Sequence, residues 1–336
     1  MPRFIWNNMS KGFKTLIEAI ATAFDCSEEK SVMYNQHTIG ALSNTQQEKT
    51  RLITTLMDII YRDFYCAIPS SVKKNNTDNK SFYQLLVNAS QAEQTISKGW
   101  KILEHESSGG TYLQKHNRII YAEAGNYIFE YDNRYANNSG YTGVVVNPPH
   151  NKHDAYFYYV KSIIPGSDSI PIIRFYFNIK NTGAPALIQS VKTHFNKFGV
   201  PFVFKCCAKP EYYNRVDTAV LYIDYNLFSI AVQLLQKVVA DVKKYLNKQV
   251  PVFTYRITDG VSFAENPSGN LSFGQSRCYV IATAIIDGML AGKNKNDFTD
   301  FIIECFKRDG YNLEKIYLNP LSNLSYNFML GGFKND

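Results

Sequence analysis

Apolar positions along the first third of the chain recur at helical spacing. Phe13, Leu16, Ile17, Ile20 and Ala23 form one stripe. Leu52, Leu56, Ile59 and Ile60 form a second, which runs into the aromatic pair Phe64–Tyr65. An apolar residue every three to four positions marks a helix with one buried face. The polar run Lys73–Lys80 after Pro69 reads as a loop, and a third helix is expected over Phe82–Ser97. Residues 1–97 are therefore read as a helical N-terminal region. It carries no catalytic constellation, so support or substrate docking is its expected role.

From Trp100 the period changes. Gly99–Leu103, Arg118–Ala122 and Tyr127–Tyr131 read as strands separated by Gly and Asn turns. Asp132–Tyr141 and Pro148–His153 read as loops. After this, strands and helices alternate. Strands are expected over Pro171–Lys180, Pro201–Cys207, Ala219–Ile223 and Val250–Arg256, with a short turn over Tyr212–Val216. Helices are expected over Gly183–Phe198, Leu227–Leu246, Arg277–Leu290 and Phe298–Arg308. The Leu227–Leu246 helix aligns Ala231, Leu235, Val238, Val242 and Leu246 on one face. The pattern predicts an α+β fold, with residues 98–336 forming a core in which helices pack on a mixed sheet.

Composition narrows the function classes. At 45% hydrophobic the chain can bury a large core, so the 46 Tyr and Phe need not imply a binding groove. Lys and Arg number 36 against 29 Asp and Glu, a surplus of +7 scattered along the chain. That surplus suits an acidic or phosphorylated ligand but lacks the basic stripe of a nucleic-acid binder. No apolar run reaches the ~18 residues of a membrane span, and no signal-peptide core is visible, so a cytoplasmic protein without membrane partners is expected. The six cysteines form no C-x-x-C pair and no zinc spacing, and read as buried free thiols in a reducing compartment. Adjacent Cys206 and Cys207 have no neighbouring histidine to activate them as a redox or nucleophilic pair.

The candidate chemistry is cationic. Gly260–Arg277 is a glycine-rich polar segment running into a helix. The N–H groups at a helix start favour anions, and an arginine there adds a fork matched to phosphate or carboxylate. The plainer alternative is a turn whose arginine pairs with a nearby carboxylate. In the strand containing Arg174, side-chain alternation places Arg174, Tyr176, Asn178 and Lys180 on one face and Phe175, Phe177 and Ile179 on the other. Lys205 ends an otherwise apolar strand, where burial makes a lysine lose its proton more easily. Arg215 precedes a strand with Asp217 two residues on, which reads as a local ion pair. If Arg174, Lys205, Arg215 and Arg277 converge, phosphate is the natural guest, and a lysine among arginines becomes a base.

These residues lie in stretches that resemble the HopA-type effector family, named for a plant-pathogen type III effector. The matching stretches are Ile173–Asn178, Gly183–Ile188, Val200–Lys205, Tyr213–Tyr222 and Gly260–Arg277, the last with Ala264–Glu265 and Ser272–Phe273–Gly274. Trp100 and Tyr317–Pro320 match more weakly, and the N-terminal third least. Relatives of this family act as lyase-like enzymes in class V lanthipeptide and thioamitide clusters, and remote type III phosphothreonine lyases run a similar reaction. The resemblance implies that a separate kinase phosphorylates Ser or Thr of a precursor peptide. The lyase then eliminates phosphate to leave dehydroalanine or dehydrobutyrine, with no metal or organic cofactor. It assigns Lys205 as base, Arg174, Arg215 and Arg277 as phosphate holders, and Tyr176 as hydrogen-bond partner or proton donor. Asn178, Asp217, Glu265, Ser272 and Gly274 are the expected pocket residues. The remote lyases use a histidine acid, but none of His116, His150, His153 and His194 stands out in that role. The alternative is an effector-like module that binds a phosphorylated or acidic protein without chemistry.

Overall fold

The computed structural model describes residues 9–27, 30–69, 79–90, 96–107, 109–122, 127–131, 141–146, 156–162 and 171–333. Its elements are α1 (Met9–Ala23), a three-stranded meander β1 (Phe24–Cys26), β2 (Ser31–Tyr34) and β3 (His37–Ala41), α2 (Gln46–Ile60) and α3 (Asn79–Ser90). Five strands follow: β4 (Ile96–His105), β5 (Thr111–Lys115), β6 (Arg118–Ala122), β7 (Tyr127–Tyr131) and β8 (Tyr141–Val146). The rest comprises β9 (Phe157–Lys161), β10 (Ile172–Phe177), α4 (Ala184–Lys197), β11 (Phe202–Cys207), β12 (Ala219–Asp224), α5 (Phe228–Val242), β13 (Tyr255–Thr258), β14 (Val261–Glu265), α6 (Phe273–Leu290) and α7 (Phe298–Arg308).

The class is α+β, as the period changes predict. The main sheet has six strands in the order β13-β14-β10-β12-β11-β9. Its pairings are antiparallel throughout, where strand–helix alternation pointed to a mixed sheet. Helix α4 does join two strands of the same direction, β10 and β11. However, β12 inserts between them and pairs antiparallel with both.

Four local readings are corrected. Helix α3 stops at Ser90, and Ile96 and Ser97 instead pair with Val146 and Val145 of β8. The meander β1–β3 interrupts the helical N-terminal region, turning at Asn35 and Gln36, both with positive φ. Two such residues suit the twist of a tight hairpin. The glycine-rich segment begins as strand β14, not as loop, because Val261 and Phe263 alternate with Ser262 and Ala264 beside β10. The strand expected over Val250–Arg256 forms only from Tyr255, as the hairpin partner of β14.

The sheet is covered on both sides. Phe175, Leu221, Phe204, Val160 and Phe263 form one apolar row across it, each at most 1% exposed. Helices α4 and α5 cover this face, with Phe228 of α5 5.9 Å from Phe263. Against the opposite face stands α6, whose Phe273 ring lies 6.2 Å from Tyr176. Helix α2 packs on α6, and α1 packs on α7 through Phe13 and Phe306 at 5.3 Å. One hydrophobic cluster thus runs from Phe13 through Leu86 into the C-terminal elements, across the 97/98 division by chain order. Trp100, Leu113 and Ala122 form a separate small cluster on the five-stranded sheet β6-β5-β4-β8-β7.

Candidate functional site

Strand alternation decides which side chains meet under α6. Residues of one parity on each strand face this side, so Arg174 and Tyr176 of β10 join Tyr222 of β12, Lys205 of β11 and Phe157 of β9. Arg174 stands opposite Tyr222 in the ladder, while Tyr176 and Lys205 both stand opposite Val220. Two rings link the cations. Lys205 Nζ lies 4.2 Å from the Phe157 ring centre and 5.7 Å from that of Tyr222. The Arg174 guanidinium is 5.2 Å from Tyr222, and that of Arg215 is 5.8 Å from Phe157.

The three cations are unequally satisfied. Arg215, just ahead of β12, is paired in a two-pronged bond with Asp217, whose carboxylate accepts from Nε and, at 2.8 Å, from Nη2. Nη2 also donates to the Tyr61 hydroxyl at 3.1 Å and to Cys66 Sγ at 3.0 Å. Arg174 donates from Nε to Asn266 Oδ1 at 2.7 Å and from Nη1 to the Tyr176 hydroxyl at 3.4 Å. Among the described residues neither Arg174 nor Lys205 has a carboxylate partner. Each arginine therefore keeps one terminal nitrogen without an acceptor among them, Nη2 on Arg174 and Nη1 on Arg215. Lys205 lies over the Phe157 and Tyr222 rings. Cation–π attraction of ~1–2 kcal/mol offsets part of its desolvation but neutralises no charge. The result is a half-buried site with a positive surplus, the electrostatic requirement for an anion.

Burial, reinforced by the Arg174 charge, pulls the Lys205 ammonium below its ordinary range. Burial pushes the Tyr176 phenol up although Arg174 opposes it, so Tyr176 holds its proton. Burial works against the Arg215 charge, yet Asp217 outweighs it and keeps that guanidinium ionised.

Arg277 goes elsewhere. It is fully buried on α6, and every guanidinium nitrogen is spent. Nε and Nη2 donate to the Ile316 carbonyl at 3.3 Å, Nη2 to the Leu318 carbonyl at 2.5 Å, and Nη1 to Ser276 Oγ at 2.9 Å. It thus binds the main chain of the C-terminal segment, and each of its three nitrogens already has an acceptor. At the start of α6 a capping box takes up two N–H groups, as Ser272 accepts from the Gln275 N–H while Gln275 returns a bond to the Ser272 N–H. Gly274 has a packing role, since a Cβ there would stand 2.5 Å from the Tyr65 ring. Glu265 accepts from the Asn319 N–H, Ser322 Oγ and the Tyr326 hydroxyl, holding the C-terminal segment from β14. Asn178 bonds the Gln249 carbonyl and Asn247 Nδ2, beyond the end of β10. Of the expected pocket residues, only Asp217 touches the cationic group.

Tyr61, Cys66, Phe157, Tyr222 and Asn266 complete the arrangement and were not singled out from the sequence. Tyr222 was legible, lying two positions from Val220 on a strand of known parity. Tyr61 and Cys66 carried no local signal, because their partner Arg215 is some 150 residues away. No histidine joins the group among the described residues. His194 pairs with Asp241 at 2.9 Å, bridging α4 and α5 on the other side of the sheet. His116 occupies the β5–β6 turn with positive φ, and His150 and His153 lie outside the described residues. All six cysteines are free thiols, and burial raises Cys206 to about 12, which leaves the adjacent pair without thiolate character. Among the described residues, no helix is long and apolar enough to cross a membrane.

A family model described as the HopA1 effector protein family matches residues 146–318, just over half of the chain and the whole of the cationic face from β9 to β14. Among solved structures, the effector protein from Pseudomonas syringae pv. tomato strain DC3000 is similar with a TM-score of 0.51 and 15% identity, covering 92% of this chain and 98% of that one. The effector protein from Pseudomonas syringae pv. syringae strain 61 aligns with a TM-score of 0.46 and 15% identity, covering 82% and 99%. At such identity the first likeness concerns the fold alone. No curated protein matches the chain.

Proposed function

The chain belongs to the HopA1 effector protein family, and on that premise we propose that it eliminates phosphate from phosphoserine or phosphothreonine in a peptide. The products are inorganic phosphate and a dehydroamino acid. The observation that carries this reading is the buried Arg174 and the half-buried Lys205, neither with a carboxylate partner among the described residues, beside a third cation, Arg215, that keeps one donor nitrogen to spare. A phosphate dianion supplies the missing charge, held by Arg174 Nη2 and Arg215 Nη1. Lys205 in its neutral form takes the Cα proton of the phosphorylated residue. The released electron pair forms the Cα–Cβ double bond, and the Cβ–O bond breaks toward phosphate. Tyr176, next to Arg174, gives its phenolic proton to the leaving oxygen and regains one from solvent. The substrate in this reading is a precursor peptide phosphorylated by a separate kinase, as in ribosomal peptide natural product pathways.

The test is mass spectrometry of a phosphothreonine peptide incubated with the purified chain and with its Lys205→Ala and Lys205→Arg variants. The expected result is loss of phosphoric acid by the wild type only, with phosphopeptide binding retained by Lys205→Arg. Turnover by Lys205→Ala removes Lys205 as base. Binding without turnover by the wild type supports the other reading, a module that captures a phosphorylated protein. The same cations serve that purpose without a base.

A further inference from the structure

The segment Tyr61–Tyr65 continues α2 as a single π-helical turn, closed by the Cys66 N–H on the Tyr61 carbonyl at 2.8 Å. A π-turn takes up one more residue than an α-turn, which rotates the side chains that follow it, and such turns recur at functional sites. Here the rotation has a definite effect. Tyr61 and Cys66, one π-turn apart, both reach Arg215 Nη2, at 3.1 and 3.0 Å. The Val216 N–H donates to the Cys66 carbonyl at 3.0 Å, so main chain joins main chain across the same contact. Asp217 holds the remaining edge of the guanidinium. Four acceptor atoms on three residues thus fix Nε and Nη2, and the planar fork then has one orientation, in which Nη1 is the nitrogen left over.

We infer that Tyr61 is a positioning residue for Arg215, and that the N-terminal π-turn belongs to the anion site rather than to its support. This rests on the reading above, in which Arg215 meets the phosphate. The Tyr61 hydroxyl is not needed for packing, because its ring already stacks on Tyr65 at 5.1 Å and lies 5.9 Å from the Arg215 guanidinium. The hydroxyl accepts from Arg215 and points its own proton at Asp217 Oδ2, 3.5 Å away. It thereby bridges the arginine to its carboxylate. Asp217 alone would leave the planar guanidinium free to tilt out of the carboxylate plane along its Nε/Nη2 edge. The hydroxyl and the thiol close that freedom from the opposite side.

The experiment is a titration of the full chain with a phosphothreonine peptide, competed with inorganic phosphate, for the wild type, Tyr61→Phe, Arg215→Lys and the double variant. Lysine keeps a cation against Asp217, and melting curves show that each protein is folded. The expected result is about three- to tenfold weaker binding for Tyr61→Phe, the scale of one hydrogen bond, and no further loss when the change is made in Arg215→Lys. Such non-additivity is the mark of action through the arginine. An equal loss in both backgrounds shows a general structural role and overturns the inference. So does unchanged binding by Tyr61→Phe while Arg215→Lys is weakened, and in both cases the phosphate reading stands. A wild type that binds neither phosphopeptide nor phosphate overturns the phosphate reading, and the inference with it. Cys66→Ala, which removes the second Nη2 acceptor and leaves Tyr61 in place, repeats the cycle should Tyr61→Phe fail to fold.

Discussion

Three basic side chains on one face of a sheet repel one another, and the chain relieves that repulsion unequally. Among the described residues, Arg215 receives a carboxylate, Arg174 receives neutral acceptors, and Lys205 receives aromatic rings. Lysine is the member of the set that can respond by losing its proton, since guanidinium stays charged in nearly any protein setting. Burial and the Arg174 charge both move Lys205 in that direction. The sign for activity follows. The base form is neutral, so elimination rises with pH as Lys205 deprotonates, and the rise sets in at lower pH than for an ordinary lysine. The expected profile of kcat/KM has its ascending limb in a window below the ordinary lysine value. A profile that is flat over this window, or that ascends equally in Lys205→Arg, speaks against Lys205 as base.

At the scale of elements, α6 explains why the most conspicuous motif of the sequence has a different use from the one its residues suggest. The helix carries a capping box at its start, a glycine that admits the Tyr65 ring, and an arginine buried one turn in. Burial lowers the Arg277 guanidinium to about 10, with nearby phenols and Glu265 opposing that shift. Arg277 from α6 and Glu265 from β14 grip one C-terminal stretch from two sides, through the carbonyls of Ile316 and Leu318 and through Asn319, Ser322 and Tyr326. Arg277→Ala leaves two buried carbonyls without donors, each costing ~1–3 kcal/mol. The expected outcome is a melting temperature lower by several degrees, with phosphopeptide affinity unchanged in the protein that remains folded. A loss of affinity without a loss of stability would instead return Arg277 to the anion site.

For the whole molecule, the two hydrophobic clusters set different levels of order. The main cluster joins helices from both ends of the chain to the six-stranded sheet, whereas among the described residues the five-stranded sheet buries Trp100, Leu113 and Ala122 and exposes Ile119, Ile128 and Phe129. Few buried apolar contacts mean low local stability. Amide hydrogen exchange should therefore be faster in β4–β8 than in β10–β12, and equal protection in both would show that the five-stranded sheet shares the stability of the main core. The α+β class, the bounds of β6, β7 and α7, and the two-faced character of β10 were all legible along the chain, because each follows from a local period of two or of 3.6. The free state of the cysteines was legible from the lack of any paired spacing. Periodicity also says which side chains share a face, and so it brought Arg174 and Tyr176 together. It does not say which face is covered by what. That Arg174 ends beside Lys205 and Arg277 beside two carbonyls was decided by the order of strands in the sheet and by the packing of α6. That Tyr61 and Cys66 reach Arg215 was decided by a contact across some 150 residues. Local sequence encodes the spacing of side chains along one element, whereas the pairing of charges depends on distances between elements, which only the folded chain sets.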